Sequence, residues 1–348
     1  MKARLADERN REVRGQLRSS YLRSGLVLVV GAGLSAGTKL PLWPEVLRRL
    51  AGQCFGKRLG SKVFRTLVSQ GYSLPAIASI LESSSPSPQI FTHWLRDELY
   101  RGFPFYGVVL NDDNKSDFVR YVGQNATLRA CAAFCVRRAP GLEGFVRNAH
   151  VQAVVNFNFD AIFREYVRLR FGHGILRTIE RPSAGSLPKR TPVYQMHGYF
   201  HFDRSKFYNL AAEAPDVRVF TEQEYFDFFN RPTSIYNYTF LHLLREYNCV
   251  FVGLSLQDEN IRRLLHYSKT ERTESDVREG KPISEAEQRA KRHFILLTRG
   301  GDQLTEQLRE ASLGRLGLRV AWLENYGEIP DFLGDLYSST GDKWGEVY

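Results

Sequence analysis

The chain reads as a doubly wound α/β protein built on a parallel sheet, and three observations predict this. Short continuous apolar runs recur along it, helix-patterned segments lie between most of them, and the first run leads into a glycine-rich turn. Leu26-Val27-Leu28-Val29-Val30 is that first run, and its lack of polar alternation marks a strand covered on both faces. Further runs end at Phe157, Met196, Leu254, Leu297 and Leu323, at lengths that suit strands. Ahead of the first strand, Leu5 to Leu22 have the periodicity of a charged amphipathic helix.

Roughly 120 residues separate the first run from the second, more than one crossover helix needs. Helical periodicity at Ala76 to Leu81 and at Phe91 to Tyr100 predicts a helical insertion over about 48–148, broken by Ser83-Ser84-Ser85-Pro86-Ser87-Pro88. The charge-rich stretch Lys269 to Lys291 suits either a mobile loop or a solvated helix. No internal repeat is present. The expected organisation is a single domain over residues 1–348.

A hydrophobic share of 43%, with 17 Tyr and 23 Phe, is that of a chain that folds around a core. The 48 Lys and Arg exceed the 38 Asp and Glu, and the resulting charge of +10 attracts anionic partners such as nucleotides. Basic residues are scattered, as at Arg137-Arg138, Arg262-Arg263 and Lys291-Arg292, so solubility explains the charge equally well and a role for nucleic acid stays open. The opening MKARLADERNREVR has no apolar signal segment, and the longest apolar run, Gly25 to Leu34, is far shorter than the roughly 20 residues of a membrane span. A cytoplasmic protein without membrane attachment is expected. Cys54, Cys131, Cys135 and Cys249 contain no CxxC pair, so free thiols and no metal site are expected. The helical spacing of Cys131 and Cys135 suits packing on one face.

Four strand ends carry the candidate chemistry. Gly31-Ala32-Gly33-Leu34-Ser35-Ala36-Gly37 follows the first strand and leads towards a helix from Pro44 through Leu50. Glycines there let a backbone approach a pyrophosphate, and they equally serve a tight structural turn. No ribose-binding acid on a second strand follows about 20 residues later, so the dehydrogenase fingerprint fails. Val154-Val155-Asn156-Phe157 runs into Asn158 and Asp160 at a carboxyl edge, where open sheets bind ligands, although either side chain also suits a cap for the helix starting near Ala161. Val193-Tyr194-Gln195-Met196 ends in His197-Gly198, which puts an imidazole on the same edge; His173-Gly174 repeats the dipeptide with no strand before it. Cys249 to Val252 opens into Gly253-Leu254-Ser255-Leu256-Gln257-Asp258 and a helix from Ile261 to Tyr267, so that Gly253 and Ser255 suit a second dinucleotide contact and Asp258 suits a cap.

Together these segments resemble the sirtuin-like NAD-binding family, and its bacterial anti-phage defence branch more than the protein deacylases. GAGLSAG is similar to the family's GAG-x-S loop, Leu40-Pro41-Leu42-Trp43 to its small-Pro-x-Trp element, NFNFD to its TTNYD-type motif and QMHG to its HG motif. Thr221 to Tyr225 and GLSLQDENIRRLL resemble the branch's acidic-Tyr element and its G-x-S-L-x-D ending. The motifs keep family order over about residues 26–325. Position by position, the resemblance implies that Asn158 and His197 are the catalytic pair and that Gly31, Ala32, Gly33 and Ser35 form the pyrophosphate and ribose loop. Asp160 is then the acid of the TTNYD-type motif, and Gly253 and Ser255 lie near the adenosine half. Departures are visible too: both CxxC pairs of the deacylases are missing, Leu-Trp stands where they have Phe-Arg, and Asn156-Phe157 replaces two threonines.

What the resemblance implies is a Rossmann-like domain that takes NAD as substrate, without a metal, and hydrolyses it to nicotinamide and ADP-ribose or a cyclised form. Nicotinamide leaves as a neutral molecule, so the catalytic task is to stabilise a ribose of oxocarbenium character, to position water by an Asn amide and to move a proton by a His. Two alternatives stand beside this: a non-catalytic NAD- or ADP-ribose-sensing subunit of an assembly, and an ADP-ribosyl or acyl transferase. An NAD hydrolase needs restraint in its own cell. The expected partners are therefore other copies of the chain in a homo-oligomer, or a separate activator such as a HerA-type ATPase. The insertion either covers the pocket and forms contacts between copies, or only completes the pocket wall.

Overall fold

The computed structural model describes residues 2–139, 141, 144–179, 187, 189–206, 218–230 and 235–348. Nine strands occur among them: β1 (Leu26–Val30), β2 (Val136–Arg138), β3 (Phe145–Arg147), β4 (Val151–Asn156), β5 (Leu176–Ile179), β6 (Thr191–Gln195), β7 (Asn248–Val252), β8 (His293–Thr298) and β9 (Leu318–Leu323). Seven form one sheet in the order β5-β6-β4-β1-β7-β8-β9, every pairing parallel. Helices cover both faces, which makes this a doubly wound, Rossmann-like α/β fold.

β1 shows why the sequence carries an unbroken apolar run. Leu26, Leu28 and Val30 enter the core on one face of the sheet, Val27 and Val29 the core on the other, and all five are fully buried. The first core takes in Val13, Leu17 and Tyr21 of the helix Lys2–Ser24 and the helices between β1 and β4; the second takes in Phe240, Leu244, Ile261 and Leu265. At the sheet's edge, the Asn10 amide donates to the Trp322 carbonyl (2.9 Å) and accepts from the Trp322 N–H (3.0 Å). One side chain thus satisfies backbone groups of β9 that face no further strand.

Between β1 and β4 lie helices Trp43–Phe55, Lys57–Ser69, Leu74–Ser83, Pro88–Tyr100, Lys115–Gly123 and Ala126–Phe134. The antiparallel pair β2–β3 follows them, which the helical reading does not anticipate. Three-residue strands carry too little periodicity to register, and the same limit hides the edge strand β5. His173 precedes β5 rather than following a strand, and it is exposed. The Lys269–Lys291 stretch resolves into helix: Glu259–Arg278 runs through its first half and Ile283–Ala290 occupies the second. Cys131 and Cys135 are buried in the first core, and all four thiols are free. Among the described residues, no helix is long and apolar enough to cross a membrane.

Leu28 is fully buried at the centre of the middle strand. Leu28→Ala is expected to cost about 2–5 kcal/mol, read as a lower urea midpoint with an unchanged slope.

Candidate functional site

Register brings the candidate residues together. Val30 pairs with Asn156 on one side and Val252 on the other, and Asn156 pairs in turn with Gln195, so the carboxyl ends of β1, β4, β6 and β7 form one row. Beyond that row the chain continues as Gly31, Phe157, Met196 and Gly253. Two backbone bonds extend the pairing past the strands, Phe157 N–H to Val30 O (3.0 Å) and Met196 N–H to Asn156 O (2.9 Å). β1 is also the switch point: the chain passes to β4, β5 and β6 on one side of it and then to β7, β8 and β9 on the other. Ligands of open α/β sheets bind in the crevice that such a reversal creates.

The loop after β1 folds into two short 3-10 turns, Ala32–Leu34 and Ala36–Thr38. Its glycines answer to the loop after β7. Gly31 N–H donates to Val252 O (3.2 Å) and Gly33 N–H to Gly253 O (2.9 Å). A Cβ on Gly33 would sit 2.8 Å from the Gly253 Cα, and one on Gly31 would sit 2.4 Å from the Leu254 side chain. Gly253 has a φ of 69° as well, and Leu256 lies in the left-handed region at 55°, a conformation that its burial holds in place. Gly31 and Gly33 are demanded by close packing against the loop after β7, while Ala32, Gly33, Ala36 and Gly37 face solvent. Ser255 is exposed, in contrast to the buried Ser35.

Asn156 opens the motif after β4 by accepting the Asn158 N–H on its own Oδ1 (3.0 Å), which fixes where Asn158 leaves the strand. Asn158 is buried, and its Nδ2 donates to Ser35 Oγ (3.3 Å). Its Oδ1 is buried and accepts no hydrogen bond among the described residues. The Ser35 hydroxyl in turn hydrogen-bonds the Asp160 carboxyl, so Asn158, Ser35 and Asp160 form a chain that joins two loops. Asp160 Oδ1 also accepts Ile162 N–H (3.0 Å), a local turn across Ala161, which is the residue at the N-cap; neither Asn158 nor Asp160 is the cap that the sequence suggested. Burial pushes the Asp160 carboxyl up to about 6, against the opposing effect of its Ser35 hydrogen bond.

His197 is buried, edge-on to Phe157 (5.1 Å between ring centres) and near Phe159 (5.9 Å) and Tyr225 (5.8 Å). Its Nε2 lies 3.7 Å from Asp258 Oδ2. Burial holds the imidazole below its ordinary value, with Asp258 acting in the other direction. The Tyr225 hydroxyl donates to the same Asp258 oxygen (2.9 Å), while Asp258 Oδ1 caps the helix Glu259–Arg278 through Ile261 N–H (3.0 Å). Trp43 stacks on Phe220 (5.5 Å) and Tyr225 (6.1 Å), closing an aromatic wall around the ring.

Several contributors were not singled out in the sequence. Asn125 donates to Leu34 O (2.8 Å) and packs against Gly37, pinning the glycine-rich loop to the insertion. The fully buried Tyr100 donates to Phe200 O (2.5 Å) and accepts Ala161 N–H (3.0 Å), stapling the loop that carries His197 to the one that carries Asn158. Arg218 reaches Glu224 (2.5 Å), Glu82 (2.5 Å) and the Thr92 hydroxyl, tying the Tyr225 helix to two insertion helices. Each is a common residue type in a helical or irregular stretch, and only its long-range contact marks it out.

Among the described residues, no cluster of three or more His, Cys, Asp or Glu is placed to hold a metal ion. A surface cleft of about 530 Å³ lined by Arg262, His266, Lys269 and Arg315 shares no lining residue with the site. The crevice at the switch point carries the buried polar groups, and it is the better candidate.

Two measurements check this geometry. Gly33→Ala should lower the melting temperature by several degrees, since the added methyl meets backbone rather than a movable side chain. For Asp160 the sign follows from a folded value near 6 above an ordinary one near 3.8: its contribution is fully present at low pH and declines as pH rises through 6. Asp160→Asn keeps an acceptor for Ile162 N–H and should raise stability at pH 7.5 relative to pH 4.5, on the order of 1–3 kcal/mol, seen as a flatter dependence of melting temperature on pH.

Residues 152–320, just under half of the chain, match the SIR2-like domain family, and no curated protein matches it. The matched region holds Asn158, Asp160, His197 and Gly253, whereas the loop from Gly31 to Ser35 precedes it. Over that region the chain is similar to SIR2-like domains, which are often NAD-dependent enzymes, and its seven-stranded parallel sheet is consistent with that likeness.

Proposed function

We propose that the chain cleaves the nicotinamide–ribose bond of NAD by hydrolysis, giving ADP-ribose or its cyclic form. The observation that carries this reading is the buried Asn158 Oδ1, which accepts no hydrogen bond among the described residues at the sheet's switch point, beside Ser35. A buried acceptor held in this way suits a hydroxyl or a water brought by a ligand. The glycine-rich loop and Gly253 would hold the pyrophosphate and adenosine side, with Ser35 and Asn158 towards the reacting ribose and Ser255 at the exposed rim.

Asn158 is fixed from both ends, its N–H on Asn156 and its amide on Ser35, so it is suited to orient a ribose hydroxyl or an attacking water without reorganising. Burial favours the neutral form of His197, which is the form able to take a proton from either. The aromatic rings of Phe157, Phe159, Tyr225 and Trp43 exclude bulk water from that side.

Release of nicotinamide from NAD by purified protein tests the reading directly. Asn158→Ala should abolish release while NAD affinity and melting temperature stay close to wild type. His197→Ala should lower turnover by about 10²–10⁴, whereas His173→Ala should change little. Near-normal turnover in Asn158→Ala, or equal effects of the two histidines, would defeat the assignment. The acid limb of the wild-type rate profile should lie below the ordinary imidazole value, because a base with a lowered pKa stays unprotonated into the acidic range.

We propose further that the activity is a triggered depletion of NAD in anti-phage defence, restrained at rest by a homo-oligomeric assembly or by a separate chain such as a HerA-type ATPase. What supports restraint is the cost to the cell of uncontrolled hydrolysis, together with an insertion that reaches the site through Tyr100 and Asn125. Light scattering paired with turnover over a dilution series checks it. A monomer with full activity at every dilution and no need of a partner would sink this part.

A further inference from the structure

We propose that Asp258, held by Tyr225, is the positioning residue for His197: its carboxylate orients the imidazole and stabilises the protonated ring. The inference rests on the reading of His197 as a base, and it extends that reading to two residues on other elements.

The geometry is specific. Asp258 has two oxygens with separate duties. Oδ1 is engaged by the Ile261 N–H at the start of helix Glu259–Arg278, and Oδ2 takes the Tyr225 hydroxyl at 2.9 Å and faces His197 Nε2 at 3.7 Å. A carboxylate fixed by a helix cap and a phenol has little freedom to turn away, so its charge is aimed at the ring before any reaction begins. The phenol is a dependable donor, because burial, with the neighbouring carboxylate, raises Tyr225 well above its ordinary value.

The remaining surroundings of His197 give the carboxylate its leverage. Phe157 and Phe159 present uncharged rings from the loop after β4, and Tyr225 presents a neutral phenol from helix Glu222–Asn230. Asp160, the acid next to Phe159 in the loop after β4, is engaged by Ser35 and Ile162 N–H. Asp258 is the charged group that acts on the ring, and it favours the imidazolium that burial disfavours. The two effects oppose each other: burial keeps the ring neutral at rest, and the carboxylate stabilises it once it has accepted a proton. The same combination of an orienting acid and a buried imidazole recurs on unrelated folds.

The test is a titration of the His197 imidazole by NMR in the full chain from pH 4 to pH 9, with the resonance assigned by its loss in His197→Gln. Asp258→Asn retains a good helix cap and removes the charge. It should move the midpoint about one pH unit or more lower. Tyr225→Phe keeps the ring and its stacking while removing the hydrogen bond, leaving more of the carboxylate's charge to the imidazole, and should move the midpoint higher. Should Asp258→Asn fail to fold, Asp258→Ser, also a capping residue, serves the same comparison. Where the wild type releases nicotinamide from NAD, Asp258→Asn should lower kcat at least about tenfold with little change in KM and shift the acid limb the same way as the titration. A wild-type ring that never protonates over this range, or a midpoint unmoved by Asp258→Asn, overturns the proposal. A lowered midpoint in Tyr225→Phe removes Tyr225 from it. A wild-type chain without NAD cleavage overturns the functional reading alone, since the titration does not depend on turnover.

Discussion

The Gly33 N–H donates to the Gly253 carbonyl, and the loops after β1 and β7 lie so close there that neither tolerates a Cβ. Most of the site depends on this contact. β1 is already paired to β4 and β7 in a register that sets Val30, Asn156 and Val252 level. The glycine contact carries that register one step beyond the sheet, into the loops, so Ser35 meets Asn158 as a consequence of strand pairing. A side chain at either glycine would open the gap between the loops, and the hydrogen-bonded chain through Ser35 would lose its origin. The glycine-rich sequence is a requirement of the empty fold before it is one of any ligand.

A second layer of constraint comes from outside the sheet. Tyr100 bonds both the loop carrying His197 and the one carrying Asn158, Arg218 joins the Tyr225 helix to Glu82 and Thr92, and Asn125 holds the glycine-rich loop from the far side. All three clamps involve the helices between β1 and β4. Helices between β1 and β4 therefore contribute contacts around these loops, including the stacking of Trp43 on Tyr225.

The central strands were legible because a strand buried on both faces has a one-dimensional signature, an unbroken apolar run ended by glycine or a polar group. β1 is read to the residue, and the ends of β4, β6 and β7 within a residue or two. β5 was not legible: Leu176-Arg177-Thr178-Ile179 is a short edge strand that mixes polar and apolar positions. The hairpin of β2 and β3 was hidden for the same reason. Of the site, the residues immediately after strands could be named, since position at a carboxyl edge follows from the fold class. Tyr100, Asn125 and Arg218 could not be, because what they do is a long-range contact that neither local periodicity nor spacing encodes. Asp258 was legible as a cap and is one; its second oxygen, turned towards Tyr225 and His197, is a tertiary fact.

This division has a chemical counterpart. Asn158, His197, Tyr225 and Asp258 lie within the region that matches the SIR2-like domain, while Ser35, Trp43, Tyr100 and Asn125 lie outside it. The first group holds the side chains suited to orient a reactant and move a proton; the second holds the groups that fix where the first group sits. A displacement of the helices carrying Tyr100 and Asn125 would change the spacing of the His197, Asn158 and glycine-rich loops that they hold, with the side chains of those loops unaltered. Geometry that is maintained across two parts of a chain in this way can be altered from either part. A contact made on the part remote from the crevice would act on the crevice without occupying it.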